Sequence, residues 1–442
     1  MSQIIFSKRA VAHYWIGIGG WRIRNYFILP LVAVVLALQG CGGSSTSEPP
    51  ITPVPTPTPT PTPPASVALT VVNGVGPATA TSATQVELWS TILPQSQVLL
   101  SWSGGTFTPD NEEWHTTLTV PSADATLTAN VSTLNITFNT RSYTAPTTAA
   151  KIARFWVPAS PRGLILLLHG TGGSSRFIEQ AETRSFALKA ISKGYAVLAP
   201  EAEEVAAGDL DANGKIQWDI ALNPSNIDFR SLDALLASLV STNTIPAGLP
   251  YYIAGMSNGG AMAISLGAIA ATNSASSFPN LRFKAVISYC AQASQAAAIT
   301  TTPSAFYLCG NDDNVDVSNT QALANSQTLV TRGVPTAGLL HPATPLYNQR
   351  FIRVSGVSAA QSLAIANELR AGGFVDSSGF FSTASSAIST AVSASPASFP
   401  TILGLTLGQQ RELFVQISVM RAEHQFYSDW TSRSLRWFAA YP

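Results

Sequence analysis

Ser257 lies in the sequence Gly255-Met256-Ser257-Asn258-Gly259, directly after the apolar run Tyr251 to Ala254. A serine lifted above a sheet on a strand-to-helix turn has a strained backbone, and only small residues two positions to either side let strand and helix pass so closely. Glycine occupies both of those positions. The pattern predicts a nucleophilic serine, but five residues can match it by chance, so the prediction depends on finding the partners of Ser257 elsewhere in the chain.

A serine hydroxyl needs an adjacent base, and histidine is the usual one. The chain has five histidines. We favour His424, because it follows the apolar run Phe414 to Met420, which we interpret as the last strand, and precedes a helix expected at Thr431 to Ala440. Among hydrolases with the order serine, acid, histidine, the base lies on such a loop. His341, in a region without regular pattern, is the alternative.

The acid that orients the histidine should follow the penultimate strand. The apolar run Ala305 to Leu308 is followed by Cys309-Gly310-Asn311-Asp312-Asp313-Asn314-Val315-Asp316, which offers three aspartates.

A glycine-rich turn, His169-Gly170-Thr171-Gly172-Gly173, follows the apolar run Leu164 to Leu168. Such a turn can present backbone N–H groups to an anion. We expect an oxyanion hole made by the N–H groups of Thr171 and Asn258. A phosphate-binding loop is the alternative, but no Gly-Lys-Ser/Thr sequence closes the turn. His169 should brace the turn rather than act as the base.

The elements that position these residues have the pattern of a parallel sheet covered by helices. Continuous apolar runs, rather than alternating ones, are typical of strands buried on both faces. The fold class predicted for residues 145–442 is therefore α/β, with a mostly parallel central sheet. The predicted strands are Leu164 to Leu168, Tyr195 to Ala199, Tyr251 to Ala254, Ala285 to Tyr289, Ala305 to Leu308 and Phe414 to Met420.

Residues 67–142 instead show short alternating runs separated by turns, which predicts a small antiparallel β module with Trp102 in its core. The Gly-rich opening at Gly74-Val75-Gly76, Trp102-Ser103-Gly104 and the closing sequence from Val120 to Ala129 resemble secreted bacterial repeats related to the internalin-type B repeat. The resemblance implies a spacer or adhesion module without chemistry. His115, beside Trp114, is expected at its surface.

The N-terminal residues 1–41 combine basic residues, the apolar run Tyr26 to Leu38 and Cys41, which indicates a secretory signal peptide. Leu38-Gln39-Gly40-Cys41 resembles a bacterial lipobox, which implies lipidation of Cys41 and an outer-membrane lipoprotein, periplasmic or at the cell surface. An ordinary signal peptide is the alternative. Residues 42–66, rich in Pro and Thr, predict an extended linker. Cys290 and Cys309 are either a disulfide pair or two buried thiols.

Composition narrows the class of partner. Only 11% of residues are charged, with 24 basic and 24 acidic residues, which argues against nucleic-acid binding and favours a small neutral substrate or an apolar polymer. The oligomeric state is left open.

Taken together, these motifs resemble the α/β-hydrolases, and among them secreted polyhydroxybutyrate depolymerases and feruloyl esterases. The closer resemblance rests on Gly255 to Met262, on His169 to Ser174, and on Trp218 followed by Asn226-Ile227-Asp228-Phe229. It implies ester hydrolysis by Ser257 and His424 without a cofactor. The Gly-x-x-Asp spacing of related hydrolases selects Asp313 as the acid, with Asp312 second and Asp316 third.

Two features depart from this pattern. Residues about 318–410 form an insertion with a helix at Ala359 to Gly372. We expect a cap over the active site, and a flexible loop is the alternative. Asp209-Leu210-Asp211-Ala212-Asn213-Gly214 matches half a calcium loop, but Ile220 stands where a glutamate ligand is needed, so no metal is predicted. The rival functions are a serine peptidase of the prolyl oligopeptidase type and an inactive surface-binding lipoprotein.

Overall fold

The computed structural model describes residues 65–144, 146–147 and 149–442. The predicted signal peptide, Cys41 and nearly all of the linker lie outside the described residues. Within the described residues, no helix combines the length and the apolar character needed to cross a membrane.

Two four-stranded sheets form an N-terminal sandwich. The first sheet has the order β3-β1-β8-β5 and the second the order β2-β4-β7-β6. Side chains from both sheets meet in one core, in which Trp102 is 1% exposed, so its predicted core position is confirmed. The strands are β1 (Ser66–Val72), β2 (Gly74–Val75), β3 (Thr79–Thr81), β4 (Gln85–Ser90), β5 (Gln97–Ser103), β6 (Thr106–Thr108), β7 (His115–Thr119) and β8 (Ala125–Thr133).

The second part of the chain forms an eight-stranded sheet in the order β16-β15-β14-β13-β11-β12-β10-β9. Strand β10 pairs antiparallel with both β9 and β12, and all other neighbours are parallel, as expected for the α/β class. The strands are β9 (Asn139–Tyr143), β10 (Lys151–Trp156), β11 (Leu164–Leu168), β12 (Ala196–Ala199), β13 (Tyr251–Met256), β14 (Phe283–Tyr289), β15 (Ser304–Cys309) and β16 (Thr336–His341). Since β9 belongs to this sheet, the β module ends earlier than residue 142.

Helices cover both faces of this sheet. Alternate residues of β11 point into two separate cores, one shared with α3 and α4 and the other with α1 and α11. The helices are α1 (Ala181–Ser192), α2 (Glu203–Ala207), α3 (Ile227–Ser241), α4 (Asn258–Ala268), α5 (Ser294–Ile299), α6 (Asn319–Thr331), α7 (Ala359–Ala371), α8 (Ser385–Ala394), α9 (Pro400–Leu403), α10 (Leu407–Met420) and α11 (Thr431–Ala439).

The strand predicted at Phe414 to Met420 is wrong, because these residues form the end of α10. Leu413, Ile417 and Met420 recur at helical spacing and are buried in one cluster. Thr406 starts the helix with a capping box, in which its hydroxyl accepts the Gln409 N–H. The last strand is instead β16, so His341 ends a strand and does not lie in irregular structure.

The predicted insertion begins later than residue 318. Helix α6 packs against the central sheet, and β16 is the edge strand of that sheet. The residues after His341 fold into α7 to α10 around a core of their own. This helical segment also contacts the sandwich: the ring of Tyr347 stacks on Trp89 at 4.8 Å, and the guanidinium of Arg353 lies 4.3 Å from the ring centre of Trp114.

The sandwich is docked on the α/β domain through buried polar groups. The ammonium of Lys189, in α1, donates to the Leu99 carbonyl at 2.6 Å. The Glu113 carboxylate accepts the N–H groups of Ser432 and Arg433 at 3.1 and 2.8 Å, at the first turn of α11. The sandwich is therefore packed against the α/β domain and does not act as a loose spacer between that domain and the linker.

Candidate active site

Ser257 stands between β13 and α4 with a backbone φ of 57° and ψ of −124°, a conformation that costs a non-glycine residue free energy. Its N–H donates to the Tyr289 carbonyl at 2.8 Å, which helps to hold this geometry. A Cβ atom on Gly255 would lie 2.0 Å from the Gly259 carbonyl oxygen, and one on Gly259 would lie 2.3 Å from the His169 carbonyl oxygen. Both glycines are thus required by backbone contacts, as the sequence predicted.

A chain of two hydrogen bonds joins three side chains at this turn. His424 Nε2 lies 2.8 Å from Ser257 Oγ, and His424 Nδ1 lies 2.9 Å from Asp312 Oδ2. A carboxylate only accepts, so Nδ1 carries the proton and Nε2 is left to accept from the serine hydroxyl. The Asp312 side chain is 1% exposed and that of His424 16%, so the aspartate is shielded while the imidazole reaches the cavity.

The structure brings Asp312, and not the predicted Asp313, beside His424. The Asp312 N–H donates to the Cys309 carbonyl at 3.2 Å, and this tight turn brings the Asp312 side chain against His424. Asp313 is one residue further along and exposed. Asp316 pairs with Lys215 at 2.9 Å on the cavity rim. The prediction missed this residue because it assumed two residues between Gly310 and the acid, whereas one residue, Asn311, separates Gly310 from Asp312.

Neither His341 nor His115 lines the cavity that contains Ser257. His341 is buried, and its Nε2 is 3.0 Å from the Asp429 carboxylate. His115 was expected at the surface, but it is only 17% exposed and its Nε2 lies 2.6 Å from Glu87. The reason is that β7 faces the docked C-terminal segment, where the carboxylate of Asp429 lies 3.7 Å from His115 Nδ1.

The glycine-rich turn after β11 is held by His169, as expected. Its Nδ1 donates to the Gly170 carbonyl at 2.8 Å, and its Nε2 accepts the Ala202 N–H at 3.3 Å. Burial lowers the pKa of His169 to about 4, so it is neutral and braces the turn.

Both predicted oxyanion donors line the same cavity as Ser257. Within the described residues, the Thr171 N–H donates to no protein acceptor. Asn258 begins α4, so its N–H has no partner within the helix. The Asn258 side chain is fixed by Trp218, whose N–H donates to its Oδ1 at 2.7 Å. The indole N–H of Trp218 donates in turn to the His169 carbonyl at 2.9 Å, so one tryptophan ties the two donor segments together.

The cavity above Ser257 has a volume of about 840 Å³. No residue between 342 and 423 lines it, so the helical segment is not the cap that the sequence suggested. That segment packs on its own core and on the sandwich instead. Amide side chains are the commonest polar groups of the wall, including those of Gln180, Gln217, Gln292, Gln295, Asn314 and Gln425.

The segment that carries His424 is anchored by two buried acids that the sequence analysis missed. Glu182, in α1, accepts the Ser428 N–H at 2.9 Å and the Arg353 guanidinium at 2.9 Å. Asp429 pairs with His341. No sequence pattern marks either acid, because their partners lie far away in the chain.

The turn that resembles half a calcium loop is held by its own backbone. The Asp209 carboxylate accepts the N–H groups of Asn213 and Gly214 at 3.2 and 2.7 Å. These bonds lower the pKa of Asp209, which is an ordinary property of an Asp-rich turn.

The elbow follows a central parallel strand, the acid follows a later strand and the base lies on a loop further on, in the order serine, acid, histidine. The domain has the α/β-hydrolase fold. No family model and no curated protein sequence matches the chain.

Solved structures that resemble part of the chain include three enzymes with low sequence identity. The Pyrococcus furiosus esterase Pf2001 is 13% identical over 46% of this chain and 82% of its own, with a TM-score of 0.33. The poly(3-hydroxybutyrate) depolymerase LpqC from Bordetella parapertussis is 14% identical over 49% and 88%, with a TM-score of 0.33. A dienelactone hydrolase from Anabaena variabilis is 16% identical over 52% and 95%, with a TM-score of 0.34.

Proposed function

We propose that the protein is a serine esterase that hydrolyses carboxylic esters through an acyl-enzyme intermediate. The observation that carries this proposal is the unbroken hydrogen-bonded chain from Ser257 through His424 to the shielded carboxylate of Asp312. The reaction needs no cofactor, since nucleophile, base and acid all come from the chain.

In this proposal each group has its own step. His424 Nε2 takes the proton of the Ser257 hydroxyl as Oγ attacks the ester carbonyl, and Asp312 stabilises the imidazolium that forms. The carbonyl oxygen becomes an oxyanion, and we propose that it accepts hydrogen bonds from the N–H groups of Thr171 and Asn258, which line the cavity. His424 then protonates the leaving alcohol, and a water molecule activated by the same imidazole releases the acid.

The side chains that line the cavity favour a substrate with several polar but uncharged groups. Glutamine and asparagine amides both donate and accept hydrogen bonds, so they suit hydroxyl and carbonyl groups better than a long alkyl chain. The ion pair of Lys215 and Asp316 at the rim satisfies both charges within the protein. We therefore propose small or oligomeric esters that carry hydroxyl or further ester groups, which include polyhydroxybutyrate and feruloyl esters.

The test uses the short-chain substrate p-nitrophenyl acetate. Wild type should hydrolyse it, and Ser257→Ala should lose at least about three orders of magnitude in kcat. A fluorophosphonate probe, which labels activated serines, should label wild type and not the variant. Ser241→Ala is the matched control, because Ser241 is exposed near the end of α3, where its hydroxyl bonds only the Ser238 carbonyl.

Other outcomes would reject the proposal. Ester hydrolysis that survives Ser257→Ala would show that Ser257 is not the nucleophile. Cleavage of proline-containing peptides without ester hydrolysis would favour the peptidase. A folded wild type that neither reacts with the probe nor cleaves a panel of esters would favour an inactive binding protein.

We further propose that the protein is exported and anchored to the outer membrane through lipidation of Cys41. The support is the sequence around Leu38 to Cys41 and the Pro/Thr-rich linker that follows it. An anchored enzyme of this kind would act on esters outside the cytoplasm.

A further inference from the structure

Two cysteines meet at neighbouring strand ends below the proposed active site. Cys290 directly follows β14, and Cys309 ends β15, which pairs with β14. Their Sγ atoms are 3.1 Å apart, only about 1 Å more than the length of a disulfide bond. The two residues are 0% and 1% exposed. A covalent bond between them therefore requires only a small shift of two side chains.

Cys290 adjoins the part of the backbone that fixes the nucleophile. The carbonyl of Tyr289, the preceding residue, accepts the N–H of Ser257 at 2.8 Å. The Cys290 sulfur also lies within 4.8 Å of ligand atoms of Asp312 and His424. The thiol thus lies close to the proposed acid and base, and the residue before it holds the backbone of Ser257.

Cys309 adjoins the segments that carry the acid and the base. Its carbonyl accepts the N–H of Asp312 at 3.2 Å, which closes the turn that presents this carboxylate. The sulfur atoms of both cysteines lie 3.5 Å from the carbonyl oxygen of Gln425, the residue after His424. The cysteine pair therefore contacts both the turn that carries Asp312 and the residue that follows His424.

Both residues are buried thiols in the structure, where one S–H group can donate to the other sulfur at 3.1 Å and the Gln425 carbonyl oxygen lies 3.5 Å from both sulfurs. The two thiols are therefore already in contact, as two cysteines must be before a bond can form between them. The chain has three cysteines, and the third, Cys41, lies in the predicted signal sequence. The two cysteines of the folded domain are therefore the two that meet.

We propose that Cys290 and Cys309 form a disulfide while the protein folds, and that this bond fixes the strand ends on which the triad is assembled. Nineteen positions separate the two cysteines in sequence, so the bond also restricts the unfolded chain. The proposal concerns covalent structure and stands whether or not the protein hydrolyses esters.

The oxidant is a disulfide compound of the folding environment. The thiolate of one cysteine attacks this compound, forms a mixed disulfide and releases one thiol. The thiolate of the second cysteine then attacks the bound sulfur and releases the other thiol. Two electrons pass to the oxidant and two protons leave the cysteines. Burial raises the pKa of the Cys290 thiol well above its usual range, so exchange belongs to the folding stage, before the pair is enclosed.

Mass spectrometry of the full chain tests the bond directly. Reduced, unfolded protein is refolded with a mixture of oxidised and reduced glutathione, treated with N-ethylmaleimide in denaturant and digested with trypsin. Both cysteines lie on one tryptic peptide, Ala285 to Arg332, and Cys41 lies on another. We expect the mass of this peptide to be two hydrogen atoms lower than that of its dithiol form, with no maleimide attached. A peptide that carries two maleimides or bound glutathione would overturn the proposal.

The role of the bond is tested by urea unfolding with and without reductant. Wild type oxidised during refolding should unfold at a higher urea concentration than reduced wild type. The double variant Cys290→Ala/Cys309→Ala should be indifferent to reductant, and Cys41→Ser should respond as wild type does. If reductant leaves the wild-type midpoint unchanged although the mass shows the bond, the bond does not fix these strand ends.

Discussion

Asp312 and Asp313 are adjacent residues of the same type, and the structure gives only Asp312 a place beside His424. The substitutions Asp312→Asn and Asp313→Asn each remove one charge and preserve the size of the side chain. Asp312 is buried and Asp313 exposed, so the pair separates the two assignments of the acid within a single turn.

The expected loss follows from the distance between the charges. A carboxylate and an imidazolium separated by 2.9 Å attract each other by about 6 kcal/mol at an effective dielectric constant of about 20. Since about 1.4 kcal/mol corresponds to a tenfold change in rate, Asp312→Asn should lower kcat by up to about 10⁴-fold. The asparagine amide can also turn its N–H₂ toward the ring and favour the wrong tautomer. Asp313→Asn should stay within about twofold of wild type, as is usual for an exposed substitution.

The assay is the steady-state hydrolysis of p-nitrophenyl acetate by both variants, with near-ultraviolet circular dichroism to check that they are folded. KM should change little for Asp312→Asn, because the charge acts on the transition state and not on substrate binding. A large loss in Asp313→Asn together with an active Asp312→Asn would refute the assignment, and equal losses would show that neither aspartate alone orients the imidazole.

Two further predictions concern the sandwich and the N-terminal residues. Burial alone would lower the pKa of His115, but the nearby carboxylates of Asp429 and Glu87 raise it to about 9, above its unfolded value of 6.5. His115→Gln should therefore reduce the free energy of unfolding by up to about 3 kcal/mol below pH 6.5, and the difference should vanish as the pH rises through about 9. Urea unfolding of wild type and His115→Gln from pH 6 to pH 10 measures the difference between their free energies of unfolding. A difference that does not change with pH would exclude this ion pairing. Cys41→Ser should abolish incorporation of labelled palmitate in a bacterial host and release the protein from the membrane fraction; labelling that persists would rule out lipidation at this residue.

The strands that the sequence predicted correctly are those at the centre of the sheet. Strands β11 to β15 are buried on both faces, so they form continuous apolar runs. The missed strands, β9, β10 and β16, lie toward the two edges and mix exposed with buried residues. The helix α10 was mistaken for a strand because five of its last seven residues are apolar and only Gln416 and Ser418 are polar. Its capping box at Thr406 and Gln409 was the signal that would have corrected the interpretation.

In the site, the residues found from the sequence are those whose role depends on local geometry. The glycines around Ser257 and in the turn at His169 can be recognised from the sequence, because close backbone contacts at these positions leave no room for a larger side chain. The prediction selected Asp313 in place of Asp312, because the amino-acid composition of a turn does not determine its length. Glu182 and Asp429 act on the His424 segment through contacts with distant parts of the chain, and only the folded structure brings those partners together.

The sandwich was expected to be a spacer or adhesion module, yet buried ionisable groups join it to the α/β domain. Lys189 donates to backbone carbonyls of β5, and the Glu113 carboxylate lies at the positive end of α11. Removing one partner of such contacts leaves a charge buried without compensation, which is strongly unfavourable. His115 adds a third contact of this kind, through Asp429, to the segment that carries His424. Since each of these groups needs its partner from the other domain, the sandwich and the hydrolase domain are stable as one unit, and the position of the proposed base depends on both.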